Sequence, residues 1–176
     1  MKKIAVLGGS SSKASINKKL AVYASTFLNG YEIDILDLND YPLPIYSFDT
    51  EEANGIPQIA KELSDKLKTY DGFIISLAEH NGTYTVVFKN TLDWLSRTDY
   101  NIWNKKPMLL MSTSPGERGA ANVMQLGQTF FPRVGAEICG SFIFPSFHDH
   151  FNEERIIHEE LLKVLEEEIR NFENSL

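Results

Sequence analysis

The stretch Ile4-Ala5-Val6-Leu7-Gly8-Gly9-Ser10-Ser11-Ser12-Lys13-Ala14-Ser15-Ile16-Asn17 decides the fold. It opens with an unbroken apolar run, as a strand buried on both faces does. A loop of glycines and serines follows. From Ile16 to Leu28 apolar residues return at helical spacing, with Ile16, Leu20, Ala24 and Phe27 on one side. Strand, small polar loop and helix make the layout of an anion site. Glycine turns the backbone without a Cβ penalty, and serine hydroxyls donate. A helix start adds free N–H groups and a partial positive charge. A phosphate monoester suits such a place. The same residues also suit a plain turn in which Ser12 or Ser15 is only the helix N-cap, so the loop is weighed with the rest of the chain.

Outward from this loop, strand and helix signals alternate. Asn29-Gly30 ends the first helix. Tyr31 to Leu38 alternates apolar and polar, as a strand at or near a sheet edge does. Asn39 to Gly55, with Pro42 and Pro44, is long enough to be a functional or interface loop, or a plain crossover. Pro57 opens a helix that turns Ile59, Leu63, Leu67 and Tyr70 inward. Phe73 to Leu77 is a central strand, and Ala78 to Thr85 reads as polar and irregular. The helix ending near Arg97 buries Phe88, Leu92 and Leu95, with Lys89, Asp93 and Arg97 as a solvated ion-pair stripe. Met108 to Ser112 is the fourth strand. The next helix faces inward through Val123, Leu126, Phe130 and Val134. Ala136 to Phe144 is the fifth strand, with Cys139 in a packing role. The closing helix runs from about Glu153, with Leu161, Leu165, Ile169 and Phe172 inward and Glu166-Glu167-Glu168 solvated.

Such alternation predicts an α/β fold of three layers, a five-stranded parallel sheet between helices, in the order 2-1-3-4-5. Ligands bind beyond the carboxyl ends of the strands in sheets of this kind. Three loops lie there, Gly9–Asn17, Ala78–Thr85 and Ser114–Ala120, and they are the richest in Gly, Ser and Asn. Residues 1–176 are expected to form one domain, since 176 residues at 43% hydrophobic can fill one core.

Composition excludes several functions. A net charge of −7 argues against binding nucleic acid or an anionic membrane. No apolar run approaches the ~20 residues of a membrane span, and the apolar start is too short for a signal peptide; a cytoplasmic protein is the expectation. One cysteine leaves no intrachain disulfide and no multi-cysteine zinc site. His148 and His150 lack a third metal-ligand partner, so no metal is expected. The first loop is neither a Walker A motif nor G-x-G-x-x-G, although Asp37 lies about twenty residues on, where a ribose-binding carboxylate would sit. No Gly-x-Ser-x-Gly elbow is present.

Four segments resemble one family. Gly9-Ser10-x-x-Lys13-x-Ser15-x-Asn17 is similar to the phosphate loop of the NAD(P)H-dependent FMN reductases, usually G-S-x-R-x-x-S-x-N. Glu79-x-Asn81 with Lys89-Asn90-x-x-Asp93-Trp94-Leu95-Ser96 resembles its P-E-Y-N loop and following helix. Ser114-Pro115-Gly116-x-x-Gly119 resembles its S-P-G-x-x-G-G turn, and Leu43-Pro44-x-Tyr46 with Asp49 its L-P-x-Y…D segment. The chain departs from the pattern at Ser12 (arginine in the family), at Ala78 and His80 (proline and tyrosine), at Thr85-Val86 (proline and glycine) and at Ala120 (glycine).

The resemblance implies a flavodoxin-like fold, FMN as cofactor, NADPH or NADH as electron donor, and a small quinone, flavin or azo compound as acceptor. It implies that Gly9, Ser10, Ser12, Ser15, Ile16 and Asn17 surround the phosphate. It places Glu79, His80, Asn81 and Gly82 on one side of the flavin, and Ser114, Pro115, Gly116 and Arg118 on the other. No side chain is singled out as catalytic, because a flavin carries the redox chemistry. Two other classes stay open: a flavodoxin-like electron carrier, and a flavin-free relative that binds nucleotide or a partner. The resemblance further implies a homodimer or homotetramer. Trp94, Tyr100, Ile102 and Trp103 support that expectation as apolar groups too many for one helix to bury, the alternative being that Trp94 and Trp103 cover the bottom of their own domain.

Overall fold

The three most continuous apolar runs become the middle of a sheet. In the computed structural model, which describes residues 1–176, these are β1 (Lys3–Gly8), a later strand at Gly72–Leu77 and another at Lys106–Thr113. In chain order the elements are β1, α1 (Ile16–Ser25), β2 (Glu32–Leu36), α2 (Phe48–Asn54), α3 (Gln58–Lys68), β3 (Gly72–Leu77), β4 (Glu79–His80) and β5 (Thr83–Tyr84). There follow α4 (Val86–Thr98), β6 (Lys106–Thr113), α5 (Ala121–Phe130), β7 (Ala136–Phe144), α6 (Phe147–His150), β8 (Phe151–Asn152), β9 (Arg155–Ile156) and α7 (Glu159–Ser175).

The sheet order is β2-β1-β3-β6-β7, with every pair parallel. Counting only its five strands, that is 2-1-3-4-5, the flavodoxin-like order. Every residue of β3 is buried, as is β6 after its first. Each Ile or Leu so buried contributes roughly 2 kcal/mol of transfer free energy. One face packs α1 and α7 on Ile4, Val6, Ile74 and Leu109. The other packs α3, α4 and α5 on Ala5, Phe73, Ile75 and Leu110. No helix is long and apolar enough to cross a membrane.

Several local expectations are corrected. Helix α1 stops at Ser25, and only Leu20 and Ala24 of its predicted stripe are buried. The closing helix begins at Glu159 instead of near Glu153, because the β8–β9 hairpin occupies the preceding residues. Leu126 faces outward on α5. Cys139 is not in the core: it is the extra residue of a bulge in edge strand β7, where Met108 pairs with Ile138 and Leu109 with Gly140. Glu168 is more than a solvated charge, since its carboxylate accepts from the Ser141 N–H at 3.0 Å. Arg97 leaves the predicted stripe and pairs with Glu51 of α2 at 2.9 Å, whereas Lys89 and Asp93 do pair, at 2.7 Å.

The aromatic argument for a partner surface fails for three of its four residues, and only Tyr100 stays exposed, at 61%. Trp94 and Trp103 are buried within the chain, at 0% and 1% exposure, and Ile102 at 4%. The helix and the turn after it share the load. Trp103 packs on Phe73 and Phe131 beneath the sheet. Trp94 turns the other way and donates its indole N–H to the Pro44 carbonyl at 2.7 Å, while Tyr46 stacks edge-on against it. Asn90 completes the clamp: its amide donates to Pro44 at 2.9 Å and its carbonyl accepts from the Tyr46 N–H at 2.8 Å. The Leu43-Pro44-x-Tyr46 and Asn90…Trp94 motifs are thus two halves of one contact, and the long loop is an ordered crossover pinned to α4.

Candidate functional site

At the carboxyl ends of β1, β3 and β6 an open cleft of about 230 Å3 forms. Ser10, Ser12, Ser15, Ile16 and Asn17 line it from the first loop, Glu79 and His80 from the β4–β5 hairpin, and Ser114 and Pro115 from the loop after β6. Gly9, Asn81, Gly82, Gly116 and Arg118 are outside the lining. Ala14, Ala78, Thr113 and His148 line it without having been predicted.

The first loop is fixed from below. Gly8 brings β1 so close to α1 that a Cβ there would lie 2.6 Å from the Lys18 nitrogen. Ser15 is the N-cap of α1, accepting from the Lys18 N–H at 3.1 Å. Asn17 is buried and bonds like a strand residue. Its amide donates to the Thr113 carbonyl at 3.1 Å, and its carbonyl accepts from the Thr113 N–H at 3.1 Å and the Ser76 hydroxyl at 2.7 Å. That carboxamide ties α1 to β3 and β6, so any contact of Asn17 with an anion falls to its backbone N–H.

The N–H groups of Lys13, Ala14, Ile16 and Asn17 have no acceptor within the chain. Those of Ile16 and Asn17 belong to the first turn of α1, where the helix cannot satisfy them. A phosphate fits this donor set. Cationic side chains are scarce there. Lys13 lines a separate groove with Lys18 and Lys19. Lys18 pairs with Asp37 at 2.6 Å, and that bond, with the Asn39 N–H, holds the Asp37 carboxyl below its usual range. Asp37 therefore braces α1 against the turn after β2, and the ribose-carboxylate match has this local cause.

The hairpin is the loop that the sequence reading missed. Ala78–Thr85 is not irregular: Glu79 pairs with Tyr84 and His80 with Thr83 across an Asn81-Gly82 turn, both with positive φ (52° and 79°). Asn-Gly is a strong hairpin signal and was legible. The Glu79 carboxylate reaches across the cleft mouth to α5, accepting from the Val123 N–H at 2.9 Å and the Asn122 amide at 3.2 Å. Helix α5 has no N-cap side chain of its own, since Ala120 occupies that position at φ 64°. Glu79 supplies the cap from another loop, and its charge suits the helix start. Arg118 donates to the Asn122 carbonyl oxygen at 2.8 Å and is exposed. Thr85 bonds the hairpin base to the Gly9 carbonyl at 2.8 Å.

His148 arrives from a fourth loop. The N–H groups of Ser146 and Phe147 donate to the carbonyls of Gly116 and Ser114, at 3.0 and 3.1 Å. The loop after β7 is thereby fastened to the loop after β6, with His148 on the cleft wall. The signal for it was positional: it follows the fifth strand, at the same sheet end as the other three loops.

A serine-rich first loop with free N–H groups, at the switch point of a 2-1-3-4-5 sheet, is the arrangement of the flavodoxin-like class. Over residues 2–149 the sequence matches the NADPH-dependent FMN reductase family, and the chain belongs to it. It is 36% identical to a 2-hydroxy-1,4-benzoquinone reductase from Burkholderia, a match spanning 68% of this chain and 64% of that protein. It is 29% identical to the NADPH:quinone oxidoreductase of Arabidopsis thaliana over 72% of this chain and 65% of that one. The chain thus matches just under two thirds of the length of these relatives. Among solved structures, FerB from Paracoccus denitrificans, a flavoenzyme NAD(P)H:(acceptor) oxidoreductase, superposes with a TM-score of 0.79 at 26% identity, covering 99% of this chain and 97% of its own.

Proposed function

We propose that the chain, as one domain over residues 1–176, is an NAD(P)H-dependent oxidoreductase that binds FMN and passes electrons to a small acceptor of the quinone kind. The observation that carries the reading is the set of unpartnered N–H groups at Lys13, Ala14, Ile16 and Asn17 beside the serine-lined cleft. Family membership supports it, as do relatives named for quinone reduction.

When bound, FMN supplies the hydride and electron chemistry. The chain's residues bind and orient. The free N–H groups and the hydroxyls of Ser10, Ser12 and Ser15 hold the phosphate, with Gly9 supplying the close backbone. The hairpin from Glu79 through His80, Asn81 and Gly82 borders one side of the ring system, and Ser114, Pro115, Gly116 and Arg118 the other. Glu79 acts as a strut between hairpin and α5, keeping the two sides at fixed separation. No side chain is assigned as catalytic.

The test is the absorbance spectrum of the purified protein before and after FMN is added, followed by NADPH oxidation with a quinone. A perturbed flavin band and FMN-dependent NADPH consumption are expected. Protein that leaves the FMN spectrum unchanged would remove the reading, and binding without turnover would make the chain an electron carrier. We also propose a homodimer or homotetramer. Its support is a groove of about 480 Å3 between α4 and α5, lined by Leu92 and Phe130 and edged by the exposed Tyr100 and Leu126. Sedimentation showing one species near 20 kDa at micromolar concentration would refute it.

A further inference from the structure

The donor set of the first loop contains no charge. A phosphate monoester carries about −1.5 to −2 at neutral pH, and no lysine or arginine lines the cleft. The loop position at which the resemblance expects an arginine is Ser12, and Lys13 lies along the neighbouring groove. Of the ionisable groups on the cleft wall, Glu79 is an anion spent on α5, which leaves two imidazoles, His80 and His148.

Their attachments differ. The His80 hairpin is tied to α5 through Glu79, and to the first loop only at its base, five residues beyond His80, through the Thr85–Gly9 bond. His148 is tied to the start of α1 through short steps: Asn17 bonds both backbone groups of Thr113, and the next residue, Ser114, accepts from the Phe147 N–H. One frame therefore holds both the free N–H groups of α1 and His148. The ring is exposed on its outer side and packs edge-on against Phe147 with centroids 5.5 Å apart. An imidazole donates an N–H in either protonation state and adds a positive charge when protonated.

We propose that His148 is the phosphate partner of this cleft, the loop after β7 supplying an imidazole N–H donor where the loop after β1 lacks a basic side chain. The ligand class is the phosphate monoester of a flavin mononucleotide, so the inference rests on the FMN reading given above. His148 has no role toward the flavin ring, which makes the phosphate separable from the ring by experiment.

Flavin fluorescence titrations with FMN and with riboflavin, which lacks the phosphate, isolate the term. The wild type is expected to prefer FMN. His148→Ala should weaken FMN binding about tenfold, the size of one hydrogen bond to a charged group, and leave riboflavin affinity unchanged. Adding Ser12→Arg to that variant should restore the FMN preference, because a donor returns from the other wall. His80→Ala is the control and should leave the FMN-to-riboflavin ratio intact. An unchanged ratio in His148→Ala, or an equal loss for both flavins, overturns the inference and leaves the FMN reading standing. A loss of the ratio in His80→Ala alone assigns the donor to the hairpin and overturns it as well. A wild type that binds both flavins equally removes the phosphate site itself, and the inference with it.

Discussion

The loop after β1 and the hairpin after β3 border one cleft and are held in opposite ways. The first is fixed from beneath, by the close approach at Gly8 and by the buried Asn17 carboxamide that spans β3 and β6. The second projects outward, with His80, Asn81 and Thr83 exposed, and is steadied by the Glu79 and Thr85 side chains. Buried bonds open only with the whole fold, whereas partly exposed ones open locally. The first-loop end of the cleft is therefore rigid. The tip of the hairpin, beyond the Glu79 strut, has room to adjust.

The largest effect is expected where the anchor is deepest. Asn17→Ala removes the bonds to Thr113 and Ser76 and leaves a buried N–H and hydroxyl without partners. A loss of about 3 kcal/mol follows from the desolvation of those groups. It is read as a lower urea midpoint at unchanged slope. FMN affinity should fall in the same variant, since the start of α1 is no longer seated. A loss below about 1 kcal/mol would mean that the loop is not held from beneath, and the contrast with the hairpin would go.

Removing the strut should cost less. Glu79→Ala deprives α5 of its borrowed cap, and cap losses run to about 1 kcal/mol. Because the hairpin is local, amide exchange at Val123 should quicken more than the global stability drops. Glu79→Gln, which keeps an acceptor and loses the charge, should lie between. A global loss as large as that of Asn17→Ala would show that the hairpin is part of the rigid frame.

Sheet order was legible because runs such as Phe73–Leu77 are apolar enough to be central strands, and their alternation with helices leaves few topologies. That the first loop lines the cleft was legible through its position after β1. The parts that were not legible depend on partners distant in sequence. Asn17 reads as a loop polar residue until Thr113, 96 residues away, is placed beside it. Trp94 reads as a surplus aromatic until the Pro44 carbonyl meets its indole. His148 was weighed as a metal ligand, because nothing local shows that its loop bonds Ser114 and Gly116. The Asn81-Gly82 turn is the exception, a local signal that was overlooked.

The smallest effect sharpens the comparison from within the hairpin. Tyr84 ends β5, and its ring stacks on Phe131 with centroids 6.2 Å apart. Its hydroxyl is buried with no hydrogen-bond partner in the chain. Burial alone pushes the phenol up to about 12. An unpaired buried hydroxyl contributes no stability, so Tyr84→Phe should be neutral or stabilising by up to about 1 kcal/mol at pH 7. The alkaline limb carries the sign. The folded pKa is raised above the ordinary value of 10, so the wild type has its full stability below pH 10. It loses that stability as pH rises toward 12, where the unfolded chain ionises first. The Phe variant lacks this loss, and its advantage over wild type should widen between pH 10 and 12; Tyr70, also raised, is common to both chains and cancels. Denaturation midpoints of the two proteins across that range decide it. If Tyr84→Phe instead loses more than 1 kcal/mol at pH 7, the hydroxyl is paired inside the fold, and the reading of it as an unsatisfied buried group is wrong.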